Sequence, residues 1–355
     1  MPDSRIDFSD IPESTDAELK RARRVGRPKT GSAKQLIAIR ISPRLLAQLR
    51  RLAARQSKPY QTLIHELLER ATKLKDGAYV FGFPEEWVAF QQHHARFLES
   101  FETLAETMNK VRVRTFTPRS PADETVFFLG SLVFEDFTEV WLMAGNGLGT
   151  GALKVLRGMY ERAVAAAYIS RFPDEAKRFW KYGAIALRKV LNHAKVLYGL
   201  PYLESVLGAD HMKEVEREYQ KVHDDFKETL CKRCNLTRDM ISWSKLGVPD
   251  MAKKAGYGLE HCYYNGYAIP TQQQHSTVLA VTSRLKLQAD GRFFDNSLQK
   301  VYAALAVRTA HLVVLKMLRV ENVYFALGLD SEIRQREAEC KAAWPGIENE
   351  CGKGL

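Results

Sequence analysis

Apolar residues keep a period of two in one notable place, "KQLIAIRIS", Lys34 to Ser42. Isoleucines stand at 37, 39 and 41, with Leu36, Ala38 and Arg40 between them. Such alternation puts successive side chains on opposite faces and predicts a strand. Most of the chain beyond Ser42 has a helical period. Ser42 before Pro43 predicts a helix start, a capping serine followed by proline at the first helical position. Leu45, Leu46, Leu49, Leu52 and Ala53 form one stripe on that helix. "QSKPY" interrupts the pattern. A second helix is expected from about Tyr60 to Lys75, with Leu63, Ile64, Leu67, Leu68 and Ala71 inward, and Gly77 ends the unit.

From Pro84 the pattern is one of long amphipathic helices. Trp87, Phe90, His94, Phe97, Phe101, Leu104 and Met108 share a face. Further helices are expected over about 121–143, 150–170, 173–196, 209–230 and 297–327. Residues 231–272 are less regular and rich in Tyr and Gly. Upstream of the strand, Thr15-Asp16 predicts a cap for a short helix through Arg24, which "VGRPKTGS" then breaks.

Charge sharpens this division. The chain has 355 residues and a net charge of +11. Residues 1–75 carry 17 Lys/Arg against 8 Asp/Glu, and the rest is nearly balanced, 36 against 34. Between Lys20 and Lys58 there are 13 basic residues and no acidic one; the first nineteen residues hold six carboxylates. A basic block beside a neutral body points to a polyanion partner, nucleic acid first. A basic membrane-surface helix fits less well, because the block contains a strand and a Pro/Gly segment. No apolar run approaches the roughly 18 residues of a spanning helix. The chain starts polar and acidic, unlike a signal peptide. Five cysteines, an odd number, argue against a disulfide scaffold. A reduced, cytoplasmic protein with no membrane partner, cofactor or metal is expected.

One strand and two helices in some 45 residues cannot bury their own apolar face. Pairing two copies solves this: the strands form an antiparallel ribbon, four helices cover one side, and the other side can enter a DNA major groove. This order of elements resembles the ribbon-helix-helix fold. "IDFSDIP", "TDAELKRARR" and "GRP" before the strand, with "PYQTLIHELLERA" after it, resemble BrnA-type antitoxins over about residues 5–75. The expected fold is therefore mainly α: a short, dimeric N-terminal ribbon-helix-helix, then a large α-helical bundle. The expected divisions are an arm (1–33), the ribbon-helix-helix (34–76), the bundle (77–330) and a tail (331–355).

The pleat assigns the faces. Ile37, Ile39 and Ile41 go to the dimer core; Lys34, Leu36, Ala38 and Arg40 face the DNA. Arg40 suits a guanine edge. Leu36 and Ala38 either touch thymine methyls or weaken sequence discrimination. The alternative is an edge strand in a larger sheet, for which no partner strands are visible. Lys58, Tyr60, Gln61 and Thr62 stand where a helix N-terminus can meet a backbone phosphate. Arg27, in "GRP", fits a minor-groove arm or an ordinary linker. The expected partners are double-stranded DNA, a second copy of the chain, and a toxin or other protein.

In the body, "ALKVLRGMYERAVAAAYISRFPDEAKRFWKYG" and "YYNGYAIPTQQQH" are similar to a family of uncharacterised bacterial helical domains, across about residues 85–325. The resemblance singles out Arg157, Glu161, Arg178, Phe179 and His275, with Thr271 where serine is common. Arg157 and Glu161 share a helix face; they form either a surface pair or, with His275, a pocket. "RTAH", Arg308 to His311, is too short for the Arg/His spacing of helical nucleases. "CKRC" at Cys231 and Cys234 is half a zinc site, with His223, His261 and Cys262 the only plausible completions. "GNGLGTG" comes after a helix rather than a strand, so it reads as a turn with Thr150 as cap. The residues support two functions. The first is a sequence-specific, antitoxin-like transcriptional regulator with a sensing or protein-binding body. The alternative is a toxin-antitoxin or phage-defence effector whose body is an enzyme.

Overall fold

A computed structural model describes residues 14–21, 41–56, 58–73, 82–231, 233–288, 291–295 and 297–347. The chain divides into two compact units, Met1–Val80 and Phe81–Leu355. Among the described residues it is mainly α.

In the first unit, α1 (Asp16–Arg21) begins with a reciprocal cap: Thr15 N donates to Glu18 Oε2 at 2.8 Å, and Glu18 N to Thr15 Oγ1 at 3.4 Å. α2 (Pro43–Arg55) begins as its sequence predicts, with Ser42 Oγ accepting from Leu45 N. α3 (Tyr60–Lys73) packs against it through Ala53 and Leu63, both buried. Leu45, Leu52, Leu67 and Leu68 remain between 39% and 53% exposed.

In the second unit the order is α4 (Pro84–His93), α5 (Ala95–Arg112), α6 (Pro121–Gly145), α7 (Gly149–Arg171) and α8 (Glu175–Tyr198). α9 (Leu200–Leu207) and α10 (Ala209–Val222) come next, then a hairpin of β1 (Lys227–Cys231) and β2 (Leu236–Asp239). Beyond it lie α11 (Val248–Ala255), α12 (Ile269–Gln274) and α13 (Val278–Thr282), and a second antiparallel hairpin of β3 (Leu285–Gln288) and β4 (Gly291–Phe294). α14 (Lys300–Phe325) and α15 (Asp330–Ala343) complete the unit.

α6, α7 and α14 pack on one another and make the core. α6 starts at Ser120, whose Oγ accepts from Asp123 N, with Pro121 at the first helical position. Its buried face includes Val126, Val133, Phe134, Phe137 and Val140. α14 is buried nearly all round, as a central helix must be. It is long and apolar enough to cross a membrane, contrary to the expectation that no segment would be, and 72% of its most apolar window is buried in the protein.

Several expectations need correction. The apolar face from Trp87 to Met108 is carried by two helices broken at His94, not one. Thr150 does not cap α7: Leu148 holds that position and offers no side-chain bond. Residues 227–230, expected as helix, are strand. Residues 331–347, expected as a tail, form most of α15 and bury Ile333, Cys340, Trp344 and Ile347 in the core. A small second core joins Ile185, Tyr219, Phe226 and Met240, and Phe226 immediately precedes the strand.

Candidate functional site

The first unit carries the residues expected at DNA. Arg27, Lys34, Leu36, Ile37, Ala38, Ile39 and Arg40 lie outside the described residues. Ile41 is half-buried just ahead of α2. At the start of α3, Gln61 and Thr62 are exposed, and Tyr60 lies beneath the Arg50 guanidinium, 5.4 Å from its ring centroid. Lys58 is engaged rather than free, its Nζ 2.7 Å from Glu66 Oε2. The amides of the first turn have no intrahelical acceptors and carry the positive end of the helix dipole.

In the second unit α7 positions Arg157 and Glu161 one turn apart. Arg157 Nη1 lies 3.2 Å from Glu161 Oε2, and Nη2 donates to Oε1 at 3.2 Å. Nε donates to Thr271 Oγ1 at 3.0 Å, and Nη2 to the Tyr267 hydroxyl at 3.3 Å. The guanidinium also sits 4.9 Å from the Tyr267 ring centroid. Tyr267 belongs to a π-helical turn, Tyr264–Ala268, a wide form often found at functional positions. Gly266 makes this packing feasible: a Cβ there would come within 2.9 Å of the Tyr160 ring. Tyr160 is fully buried and donates its hydroxyl to Leu259 O at 2.8 Å. Burial, with Cys262 and Glu260 nearby, pushes its phenol pKa well up.

The structure thus joins Arg157, Glu161, Tyr267 and Thr271 and leaves His275 out. His275 is exposed at the end of α12, and its described bonds are those of its backbone. Thr271 supplies the hydroxyl expected of a serine at that position. Arg157 has five N–H donors, and several are taken by this network, which links α7 to Tyr267 and Thr271.

Arg178 works similarly. Its Nε donates to Trp243 O at 2.7 Å and its Nη1 to Asp225 O at 3.0 Å, with its guanidinium 4.3 Å from the Phe226 ring centroid. Phe179 packs edge-on to Trp243. The motif that carries the resemblance therefore holds two loops to α8. His311, of "RTAH", is wholly buried, accepts from Trp344 Nε1 at 3.1 Å, and is held by burial at a pKa of about 3. The thiols of Cys231 and Cys234 share the β1–β2 hairpin, and no group of ligands fit for a metal occurs among the described residues.

The sequence pattern did not locate two cavities. One, about 880 Å³, is lined by His93, His94, Lys300, Arg308, Tyr302 and Trp344 among others. Burial, then the neighbouring His93, lowers the His94 pKa. The other surrounds Arg114 and Arg119. The adjacent histidines were a sequence signal, but only the fold brings α4 beside α14.

Comparison with known families fits this division. Residues 10–72 match the BrnA antitoxin of type II toxin-antitoxin systems. That match likens the N-terminal part to a toxin-antitoxin component. Residues 127–293 match DUF5677, a family of unknown function, which covers α6 to β4 except their outermost residues. No curated protein and no solved structure matches the chain.

Proposed function

We propose that the chain is a cytoplasmic, antitoxin-like regulator that binds operator DNA as a homodimer, including the DNA that controls its own gene. Two copies pair residues 34–42 into a ribbon. Ile37, Ile39 and Ile41 lie under the helices, and Lys34, Leu36, Ala38 and Arg40 enter the major groove. Gln61 and Thr62 meet a phosphate at the start of α3, with Tyr60 and Lys58 beside them; Arg27 reaches the minor groove. The body senses a ligand or holds a protein partner, a toxin first.

The observation that carries this reading is the antitoxin match over residues 10–72. Two features support it. Leu45, Leu52, Leu67 and Leu68 leave an apolar surface that a second copy would cover. The 13 cations between Lys20 and Lys58 give the same segment the charge that phosphates require.

The test is footprinting of the full chain on the DNA upstream of its gene, with Arg40→Ala alongside. A protected site is expected, with discrimination reduced in the variant by about 1–3 kcal/mol. No protection at any site would overturn the proposal.

A further inference from the structure

The second cavity lies where the loop between α5 and α6 meets the end of α14, and it measures about 840 Å³. Its side chains are mostly polar. Arg114, Arg119 and the hydroxyl residues Thr115, Thr117 and Ser120 line it, with the Phe116 and Phe325 rings beside them.

Arg114 is held with unusual care. Nε donates to Val111 O at 2.8 Å, closing off one edge of the guanidinium. Its plane is seated among Phe325, Phe127 and Phe116, whose centroids lie 4.3, 5.1 and 5.7 Å from its central carbon. Behind it, Nη2 donates to Glu321 Oε2 at 3.3 Å, on a carboxyl only 1% exposed. Room for that carboxyl comes from Gly130, in the middle of α6. A Cβ there would stand 1.9 Å from Glu321 Oε1. Burial raises the Glu321 pKa to about 8, against the pull of Arg114. Among the described residues, Nη1 of Arg114 makes no hydrogen bond and remains to donate.

One carboxylate also lines the cavity, Asp123, and three hydrogen bonds already hold it. It accepts from Arg119 N at 2.9 Å, from Ser120 Oγ at 2.8 Å and from the Tyr324 hydroxyl at 2.9 Å. Two arginines thus stand against one occupied carboxylate. A fixed guanidinium fork beside hydroxyls matches the oxygens of a phosphate. The volume suits a molecule of nucleotide size, and aromatic edges suit a ring attached to that phosphate.

We infer that this cavity binds a small organic phosphate of nucleotide size, with the phosphate on Arg114 and Arg119 and the organic part against Phe116. The inference rests on the ligand-sensing part of the proposed function and gives it a site. Thr115 and Thr117 supply further donors to the phosphate.

The experiment is calorimetric titration of the full chain, without DNA, with adenosine monophosphate, adenosine and inorganic phosphate. Adenosine monophosphate binds saturably, and adenosine binds at least about tenfold more weakly. Arg119→Ala, on an exposed loop residue, leaves the thermal unfolding profile unchanged and weakens the nucleotide by at least about tenfold. If that variant does not fold, Arg114→Lys, which keeps the charge but loses the planar fork, decides by the same criterion. No nucleotide binding below about 1 mM, equal affinity in the deciding variant, or equal affinity for adenosine overturns the inference. Because DNA is absent, failure here leaves operator binding by the head untouched, and failure of operator binding leaves this result standing.

Discussion

Arg114 and Glu321 form a pair in which the cation is seated among three phenylalanine rings and the carboxyl is sealed between α14 and Gly130. Desolvation exceeds the attraction between them, so the carboxyl holds its proton to about pH 8. A raised carboxyl pKa ties stability to low pH. The contribution is complete below the ordinary value of 4.5 and is lost as pH rises through about 8.

Glu321→Gln keeps the shape and the neutral charge. Its unfolding free energy should therefore exceed that of the natural protein at pH 9, by on the order of 1–3 kcal/mol, and match it near pH 5. Denaturant unfolding at the two pH values checks this. Asp136, raised by burial to about 6 despite its ion pair with Arg162, adds a slope of the same sign at lower pH in both proteins.

The Arg157 network makes a separate prediction. Arg157→Ala leaves the Tyr267 and Thr271 hydroxyls and Glu161 without their shared partner, and should cost about 1–3 kcal/mol of stability. Thr271→Val should cost about 1 kcal/mol, while Thr271→Ser should be nearly neutral. His275→Ala, on an exposed side chain outside the network, should stay within about 0.5 kcal/mol. Chemical denaturation of the four variants separates a structural link from a shared Arg/Glu/His pocket.

Gly266→Ala would press a methyl into the Tyr160 ring at 2.9 Å. The π-helical turn must then shift, at a cost of about 1–3 kcal/mol, and thermal unfolding should show it. An unchanged melting temperature would mean that the turn yields freely.

Pairing of two heads is measurable by light scattering. The natural chain should have the mass of a dimer at micromolar concentration. Leu52→Asp combined with Leu68→Asp, which charges two of the exposed leucines, should give single copies with the helical content of the body retained.

Much of the architecture was legible because local signals agreed with packing. Ser42-Pro43 and Ser120-Pro121 each place a capping serine before a proline, and each starts a helix. Where tertiary packing decided, the sequence misled. No proline or glycine marks the break at His94, and residues 227–230 are strand paired with 236–239, just after Phe226 enters the second core. The i,i+4 pair of Arg157 and Glu161 was visible from spacing, but Tyr267 and Thr271 are more than a hundred residues away. Glu321 and Gly130 could have been noticed as odd residues within apolar helices; their meeting is a fact of the fold.

The most direct measurement is the affinity of the full chain for the DNA upstream of its gene, by fluorescence anisotropy, as salt is raised. The account predicts specific binding whose logarithm falls steeply and linearly with the logarithm of salt, losing on the order of a thousandfold between 50 and 200 mM. Affinity for that DNA no greater than for random duplex, or one indifferent to salt, would contradict it.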